Sequence, residues 1–245
     1  MDSGYYAALT GLVSRQQALD TAATNLANTQ TPGYRAEREY FRSALLGPES
    51  ANSQLGRTVN NYGVLGGDML NMGQGAISQT GNPLDLAVEG QGFFQIQSAN
   101  GIRYTRDGSF HRTQQGQLVT ASGDPVLSAT GQTIQVPPGQ VSVGANGVLS
   151  VAGGAVATVG VYTFPATSQL TPEGADRYIA PQGVTPTLSK TAVVHQGAIE
   201  SANEDVIQGT LDLIVMQRSA EMMQKALTVF HTEFNKTASE DLPRV

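Results

Sequence analysis

Two stretches of this chain repeat apolar residues at helical spacing. Near the start, Tyr5, Leu9, Leu12, Leu19, Ala23 and Leu26 step by fours and threes, with Gln16 alone breaking the series. Near the end, Leu213, Met216, Ala220, Met223, Leu227, Phe230 and Phe234 alternate threes and fours without a break. A seam of this kind predicts a helix that packs lengthwise on another helix. The first helix is expected over residues 3–28, about 38 Å long. It stops where Asn25-Leu26-Ala27-Asn28-Thr29-Gln30-Thr31-Pro32-Gly33-Tyr34 sets a turn. Ser201-Ala202-Asn203-Glu204 reads as a capping box, placing the start of the second helix there and its end near Lys236.

Between the seams the period changes to two. Leu84-Asp85-Leu86-Ala87-Val88, Phe93-Phe94-Gln95-Ile96-Gln97, Ile134-Gln135-Val136 and Val148-Leu149-Ser150-Val151 read as short strands. Asn100-Gly101, Asp107-Gly108 and Asn146-Gly147 supply tight-turn pairs. The expected class is α+β, with the terminal helices paired as a coiled-coil-like axial domain around an inserted antiparallel β domain. Its parts are 1–35 with 200–245 as the helical axial core, 83–199 as the outer β domain, and 36–82 as an extended arm or linker. The arm is rich in Gly, Asn, Ser and Gln and poor in bulky apolar side chains. Neither helix has an obvious partner except the other, and isolated helices are marginal in water. The ends are therefore expected to be loosely ordered in the monomer and to fold on assembly.

Composition sharpens this picture. Only 14% of the 245 residues are charged, against a usual ~25%. A polar surface with few charges suits close subunit packing, because few ions must be desolvated at an interface. The formal net charge is −6 and the basic residues are scattered singly, which leaves nucleic acid without an electrostatic footprint. With no cysteine there is neither a disulfide framework nor a thiolate ligand. No apolar run approaches the ~20 residues that span a bilayer. The first nineteen residues lack a basic start followed by an apolar core, so no cleaved export signal is expected.

The search for chemistry returns little. His111, His195 and His231 share no metal-ligand spacing. Gly73-Gln74-Gly75 and Gly90-Gln91-Gly92 each begin like a dinucleotide fingerprint, but Ser78 and Gln95 stand where the third glycine belongs. They read as turns or close backbone approaches. Asp85, Glu89 and Asp107 are candidates for the paired carboxylates of glycan cleavage. Without tryptophan a sugar cleft is poorly supplied, and solvated turn acids are the better reading. Met216, Met222 and Met223 fit core packing better than a peptide groove. No catalytic, cofactor-binding or metal-binding residue is assigned.

At these same residues the chain resembles the bacterial flagellar rod–hook family. Asn25-Leu26-Ala27-Asn28-Thr29-Gln30-Thr31-Pro32-Gly33-Tyr34-Arg35 is similar to that family's N-terminal motif. Asn82-Pro83-Leu84-Asp85-Leu86-Ala87-Val88-Glu89-Gly90-Gln91-Gly92-Phe93-Phe94 resembles the opening of its β domain. Tyr104-Thr105-Arg106-Asp107-Gly108-Ser109-Phe110, Gly116-Gln117-Leu118-Val119-Thr120 and Gln196-Gly197-Ala198-Ile199-Glu200 follow in the family's order. One departure is Ala202-Asn203-Glu204, where an apolar residue often follows Ser-Asn. The resemblance implies a non-enzymatic subunit of the basal-body rod, most like a proximal-rod type, with distal-rod and hook types behind it. It implies copies of itself and neighbouring rod and hook proteins as partners, export by the flagellar type III apparatus, and a place in the periplasmic rod without membrane insertion. Leu9, Leu12, Leu19, Ala23, Leu26, Leu213, Met216, Ala220, Met223, Leu227, Phe230 and Phe234 are then the expected subunit-packing positions. A glycan-cleaving enzyme and a secreted adhesin are the alternatives from other classes.

Overall fold

A computed structural model describes residues 2–43, 63–165 and 169–236. The chain divides into two compact units. One comprises Met1–Ala27, Glu37–Met69 and Asp205–Val245; the other comprises Asn28–Ala36 and Leu70–Glu204.

The first unit holds the two long helices, α1 (Asp2–Ala27) and α2 (Val206–Lys236), and the paired strands β1 (Glu37–Ser43) and β2 (Gly63–Leu70). Helix α1 packs on α2 and on β1, but the expected coiled-coil pairing is not formed. The buried side of α1 runs through Ser14, Ala18 and Asn25, with Gly11 half-buried on the same side. Leu9 and Ala23 are exposed, and Leu12, Leu19 and Leu26 are only half-buried flanks. On α2 the contact side does follow the apolar series, through Leu213, Met216, Ala220, Met223 and Leu227. The side chains of Phe230 and Phe234 lie outside the described residues, as do residues 44–62 of the expected arm and the tail after 236.

The rotation of α1 has a polar cause. Asn25 accepts the backbone N–H of Glu37 at 2.9 Å and donates to its carbonyl at 2.8 Å. One amide thus satisfies both main-chain groups at the start of β1, as a neighbouring strand would. The side of α1 that carries Asn25 is committed to the unit's interior. Helical geometry then brings Ser14, Ala18 and Gly11 inward and turns the leucine column aside. Gly11 leaves room for the Met223 methyl, which would lie 3.5 Å from an added Cβ. Small residues let the helix backbone approach, so the contact is shallow rather than a set of interlocking leucines.

The capping-box reading also shifts. Helix α2 begins at Val206, and its cap is Asp205, whose carboxylate accepts the N–H groups of Ile207 at 2.9 Å and Gln208 at 3.1 Å. An acidic cap also complements the positive end of the helix dipole. Asn203 has other work, described below.

The second unit is antiparallel β. Its largest sheet has six strands in the order 171–174, 177–179, 101–105, 93–98, 161–163, 187–188. A three-stranded sheet joins 154–158, 148–151 and 141–143. Leu86–Glu89 pairs with Val193–Gln196, and Ile77–Gln79 with Ala198–Glu200. Ile134 and Val136 are buried, but their segment joins its neighbours through isolated bridges rather than a full strand. The central strand Phe93–Ser98 is buried on both faces. Phe94 and Ile96 enter the main core with Leu86, Val88, Phe110 and Leu149. Phe93 enters a second, aromatic cluster with Tyr104 and Tyr178. Phe94 meets Phe110 edge to face at 5.1 Å, an arrangement that adds about 1 kcal/mol to simple burial.

The glycine turns do different jobs. Gly101 and Gly147 have positive φ, at 105° and 79°, in tight turns as the sequence predicts. Gly108 has no positive φ; a Cβ there would stand 1.6 Å from the Leu86 carbonyl oxygen. Its role is close approach, sealed by the 3.0 Å bond from Leu86 N–H to Gly108 O. Gly108→Ala should therefore lower the stability of the β unit by about 3 kcal/mol or more. Gly123 has φ 85° but open space around its Cβ direction. Gly123→Ala should cost only about 1–2 kcal/mol, the left-handed penalty alone. Urea midpoints followed by circular dichroism separate the two, and equal losses would refute the close-approach reading.

Candidate functional site

Among the described residues, the densest polar arrangement is buried in the β unit, around the Glu200 carboxylate. Glu200 ends the strand Ala198–Glu200, and period two puts it on the same inward face as Ala198. Its two oxygens meet two arginines. Oε1 lies 2.8 Å from Arg35 Nη2, and Oε2 lies 2.5 Å from Arg106 Nε. Oε1 also accepts the Gly75 N–H at 2.8 Å, and the Glu200 carbonyl accepts the Gly33 N–H at 2.7 Å. All three charged side chains are at most 3% exposed.

Apart from Arg35 Nε, which has no partner among the described residues, the arginines' remaining nitrogens go to backbone carbonyls. Arg106 reaches Val88 O at 2.7 Å, Gly90 O at 2.8 Å and Gly92 O. Arg35 reaches Gly73 O. The Gly73-Gln74-Gly75 and Gly90-Gln91-Gly92 segments thus present the Gly73, Gly90 and Gly92 carbonyls to guanidinium groups. Gln74 ties them together, donating to Val88 O and accepting the Gly90 N–H, each at 3.0 Å. Two glycines are required by contact. A Cβ on Gly33, which also has φ 73°, would stand 2.3 Å from the Asp107 nitrogen; one on Gly75 would stand 2.0 Å from the Ser201 oxygen.

Asn203 completes the arrangement. It accepts the Ala36 N–H at 2.7 Å and donates to Asn71 O at 2.6 Å and Gly73 O at 2.8 Å. Tyr178 accepts the Arg35 N–H at 3.1 Å, and burial pushes its phenol well above the usual tyrosine range. Burial also holds the Arg106 guanidinium below its usual value, against the opposing pull of Glu200. The outcome is mechanical. The backbone enters the β unit at Asn28, leaves at Ala36, returns at Leu70 and leaves at Glu204. Arg35, near the first exit, and Glu200 and Asn203, near the second, bond one another's segments and the re-entry segment at Asn71 and Gly73.

The other candidates are placed as follows. Asn28, Thr31, Pro32, Gly33 and Tyr34 form the turn that leads to Arg35, with Thr31 N–H bonded to Asn28 O at 3.0 Å. Leu26 and Ala27 close α1. Asp85 accepts from Thr80 Oγ1 at 2.6 Å and Asn82 Nδ2 at 2.8 Å, and Asp107 from Ser109 Oγ at 2.6 Å. Glu89 meets His195 at 2.6 Å. Each acid serves a local turn or strand pair. Among the described residues no group of three His, Asp or Glu is arranged to hold a metal. No described helix is long and apolar enough to cross a membrane. Arg35, Arg106, Glu200 and Asn203 were not picked out from the sequence as a set, although the alternation Ala198-Ile199-Glu200 already places an acid on an inward face.

Removing one member of a buried ion group strands the rest. Glu200→Gln should cost the β unit about 3–5 kcal/mol. Glu173→Gln, at the more accessible Arg103 pair, should hardly move the urea midpoint. Comparable losses in the two variants would show that the buried arrangement has no special weight. A second expectation concerns pH. The Asp176 carboxyl is raised from 3.8 to about 6, chiefly by burial and then by Asp107. The folded state then holds a proton that the unfolded chain releases, so this residue destabilises the fold above about pH 6 and ceases to do so towards pH 4. Asp176→Asn should raise the urea midpoint at about pH 7.5 and leave it unchanged near pH 4. A gain of the same size at both pH values would contradict this.

Comparison with known proteins matches two stretches that feed this arrangement. Residues 6–35, ending on Arg35, match the family described as flagella basal body rod protein. Residues 87–151, which hold Arg106, match the flagellar hook protein FlgE/F/G D1 domain. Over its full length the chain is similar to the flagellar basal-body rod protein FlgF of Caulobacter vibrioides, 32% identical with 100% of each chain covered. FlgF of Mesorhizobium japonicum is 31% identical over 90% of each chain. FlgG of Buchnera aphidicola subsp. Schizaphis graminum is 31% identical over 89% of this chain and 92% of its own. With both ends, the β unit and the arginines of its buried centre all inside these matches, the chain belongs to the flagellar basal-body rod protein family of FlgF and FlgG.

Proposed function

We propose that the chain is a structural subunit of the flagellar rod, of the proximal FlgF type, and that it helps build the shaft carrying torque from motor to hook. The carrying observation is the similarity to FlgF of Caulobacter vibrioides, at 32% identity with 100% of each chain covered. A distal-rod assignment is the second reading, favoured by relatives named FlgG at 29–31% identity over about nine-tenths of the chain.

The physical properties suit that work. A shaft subunit needs a part that does not deform and a surface that sticks to neighbours. The Glu200 arrangement supplies rigidity in the β unit, since both carboxylate oxygens and most of the guanidinium nitrogens are held by protein partners of opposite kind. Helix α2 supplies surface: Ile207, Leu211, Val215, Met222 and Val229 are 52–74% exposed. On α1, Leu9 and Val13 are likewise exposed. Apolar side chains so placed gain by burial against another protein, about 25 cal/mol for each Å² covered. The partners proposed are further copies of this chain and adjacent rod and hook proteins, with delivery through the flagellar type III apparatus to the periplasmic rod.

The test is genetic and structural. Cells lacking the protein should stop assembly at a truncated rod, seen in micrographs of isolated basal bodies, and should not swim. Leu211→Asp should fail to restore swimming by at least about tenfold in swarm area, since burying an unpaired carboxylate costs several kcal/mol in every subunit. The purified variant should keep the β unit's urea midpoint. Complete rods in the deletion strain would refute the proposal.

A further inference from the structure

A long part of the β unit carries no charge. From Pro125 to Pro172 there is no Asp, Glu, Lys, Arg or His, in a chain where 14% of residues are charged. This run includes the three-stranded sheet of 141–143, 148–151 and 154–158. A strand at the edge of a sheet leaves a row of main-chain N–H and C=O groups unpaired, and native edges are generally blunted. The edge at 141–143 is closed by the Gln196 side chain, which accepts the Val143 N–H and donates to Val141 O, each at 3.1 Å. In the six-stranded sheet one edge strand carries Pro172, which has no N–H, and the charged Glu173; the other is two residues long. The edge at 154–158 has none of these three devices. Among the described residues its outer side is met only at one end, where Ala129 N–H bonds Thr158 O at 2.8 Å. A bulge opposite Leu149 and Ser150 leaves Val156 without a cross-strand partner and 38% exposed. It bends the strand without covering its outer groups. Val156 lines a cavity of about 380 Å³ beside this edge, with Ser128, Thr130, Gln132 and Gln135, and every residue lining it is uncharged.

We propose that this edge and cavity dock an extended, uncharged stretch of a second copy of the chain, which adds as a further strand along Gly154–Thr158 and places a side chain beside Val156 in the cavity. The proposal rests on the reading of the chain as a self-assembling subunit. Only an extended polypeptide presents the alternating N–H and C=O groups that complete such an edge. The charge pattern selects the source. At a formal net charge of −6 two copies repel each other over much of their surface. The run from Pro125 to Pro172 is where they meet without a like-charge contact, and an uncharged strand leaves no ion stranded in the cavity. The amides suit this occupant as well. Elsewhere in the chain Asn25, Gln74 and Gln196 each offer a donor and an acceptor to main-chain groups of a neighbouring segment. Gln132 and Gln135 bring the same pair of groups to the cavity.

The test is hydrogen exchange with mass spectrometry on the purified full chain, at a concentration where sedimentation shows monomer and at one where it shows self-association. On association the amides of 154–158 should exchange at least about tenfold more slowly. Val156→Lys and Gln132→Glu each put a charge at the edge, and each should weaken association at least about tenfold while the urea midpoint of the β unit stays put. Val156→Thr, uncharged and still β-branched, should associate like the parent chain. The Leu211→Asp chain separates this site from the helix surface, since slowing at 154–158 should still rise with concentration there. The proposal is overturned by association without slowing at 154–158, by charge variants that associate like the parent, or by a chain that stays monomeric at every concentration. Slowing at 154–158 only after a different rod protein is added also overturns it, because the occupant is then not a second copy. A truncated rod in the deletion strain together with any of these results would keep the rod reading and sink this inference alone.

Discussion

The β unit depends on one carboxylate. Glu200 sits where a charge has no water to fall back on, and it is tolerable there because Arg35, Arg106 and the Gly75 N–H surround it. Buried ion groups are poor sources of net stability, since desolvation consumes much of the attraction. Their value lies in geometry. A leucine core accepts small slips; a carboxylate shared by two guanidinium groups has one low-energy arrangement. The segments joined here are distant in sequence, with Arg106 94 residues from Glu200. Apolar contacts alone would hold those stretches together without fixing their mutual register.

This constraint explains the glycines. For Arg106 to reach Val88, Gly90 and Gly92 carbonyls, the backbone must double back around the guanidinium. For Gly33 N–H to reach the Glu200 carbonyl, that residue must pass within contact of the Arg106–Asp107 peptide. Side chains at Gly33 and Gly92 would prop the segments apart, while Gly90 is required by its φ of 93°. A phosphate loop offers N–H groups to a bound anion, whereas these loops chiefly offer carbonyls to guanidinium groups, and Gly75 alone turns an N–H to the protein's own carboxylate at Glu200.

Much of the fold was legible because burial leaves a periodic trace. The two helices and the strands about Phe93–Ser98 and Val148–Val151 follow from spacing alone. The side on which α1 packs did not follow, for a physical reason. Periodicity weighs side chains by size, and so selects Leu9, Leu12 and Leu19. The structure instead turns α1 on a two-bond tie between Asn25 and the Glu37 backbone. A single polar residue with a fixed partner outranks several half-buried leucines, because its unmade bonds would each cost about 1–3 kcal/mol. The cap of α2 moved for a similar reason. Asn203 is held by Ala36, Asn71 and Gly73, which leaves Asp205 to receive the first free N–H groups.

The Glu200 arrangement was only half legible. Each of its residues stood inside or beside a recognisable motif, yet nothing local says that Arg35 and Arg106 share a partner. Long-range ion pairs have no period, and a lone arginine in a turn segment reads as surface. What gives them away is context on one strand: in Ala198-Ile199-Glu200 the acid falls where an apolar residue is due. An acid at such a position must be paired, and with few cations in a chain of 14 Lys and Arg the candidates are limited. The low charge content of the chain thus has two consequences from one cause. It leaves surfaces that neighbouring proteins can cover at little desolvation cost, and it makes each charge that is buried specific, since there is rarely a second cation nearby to substitute.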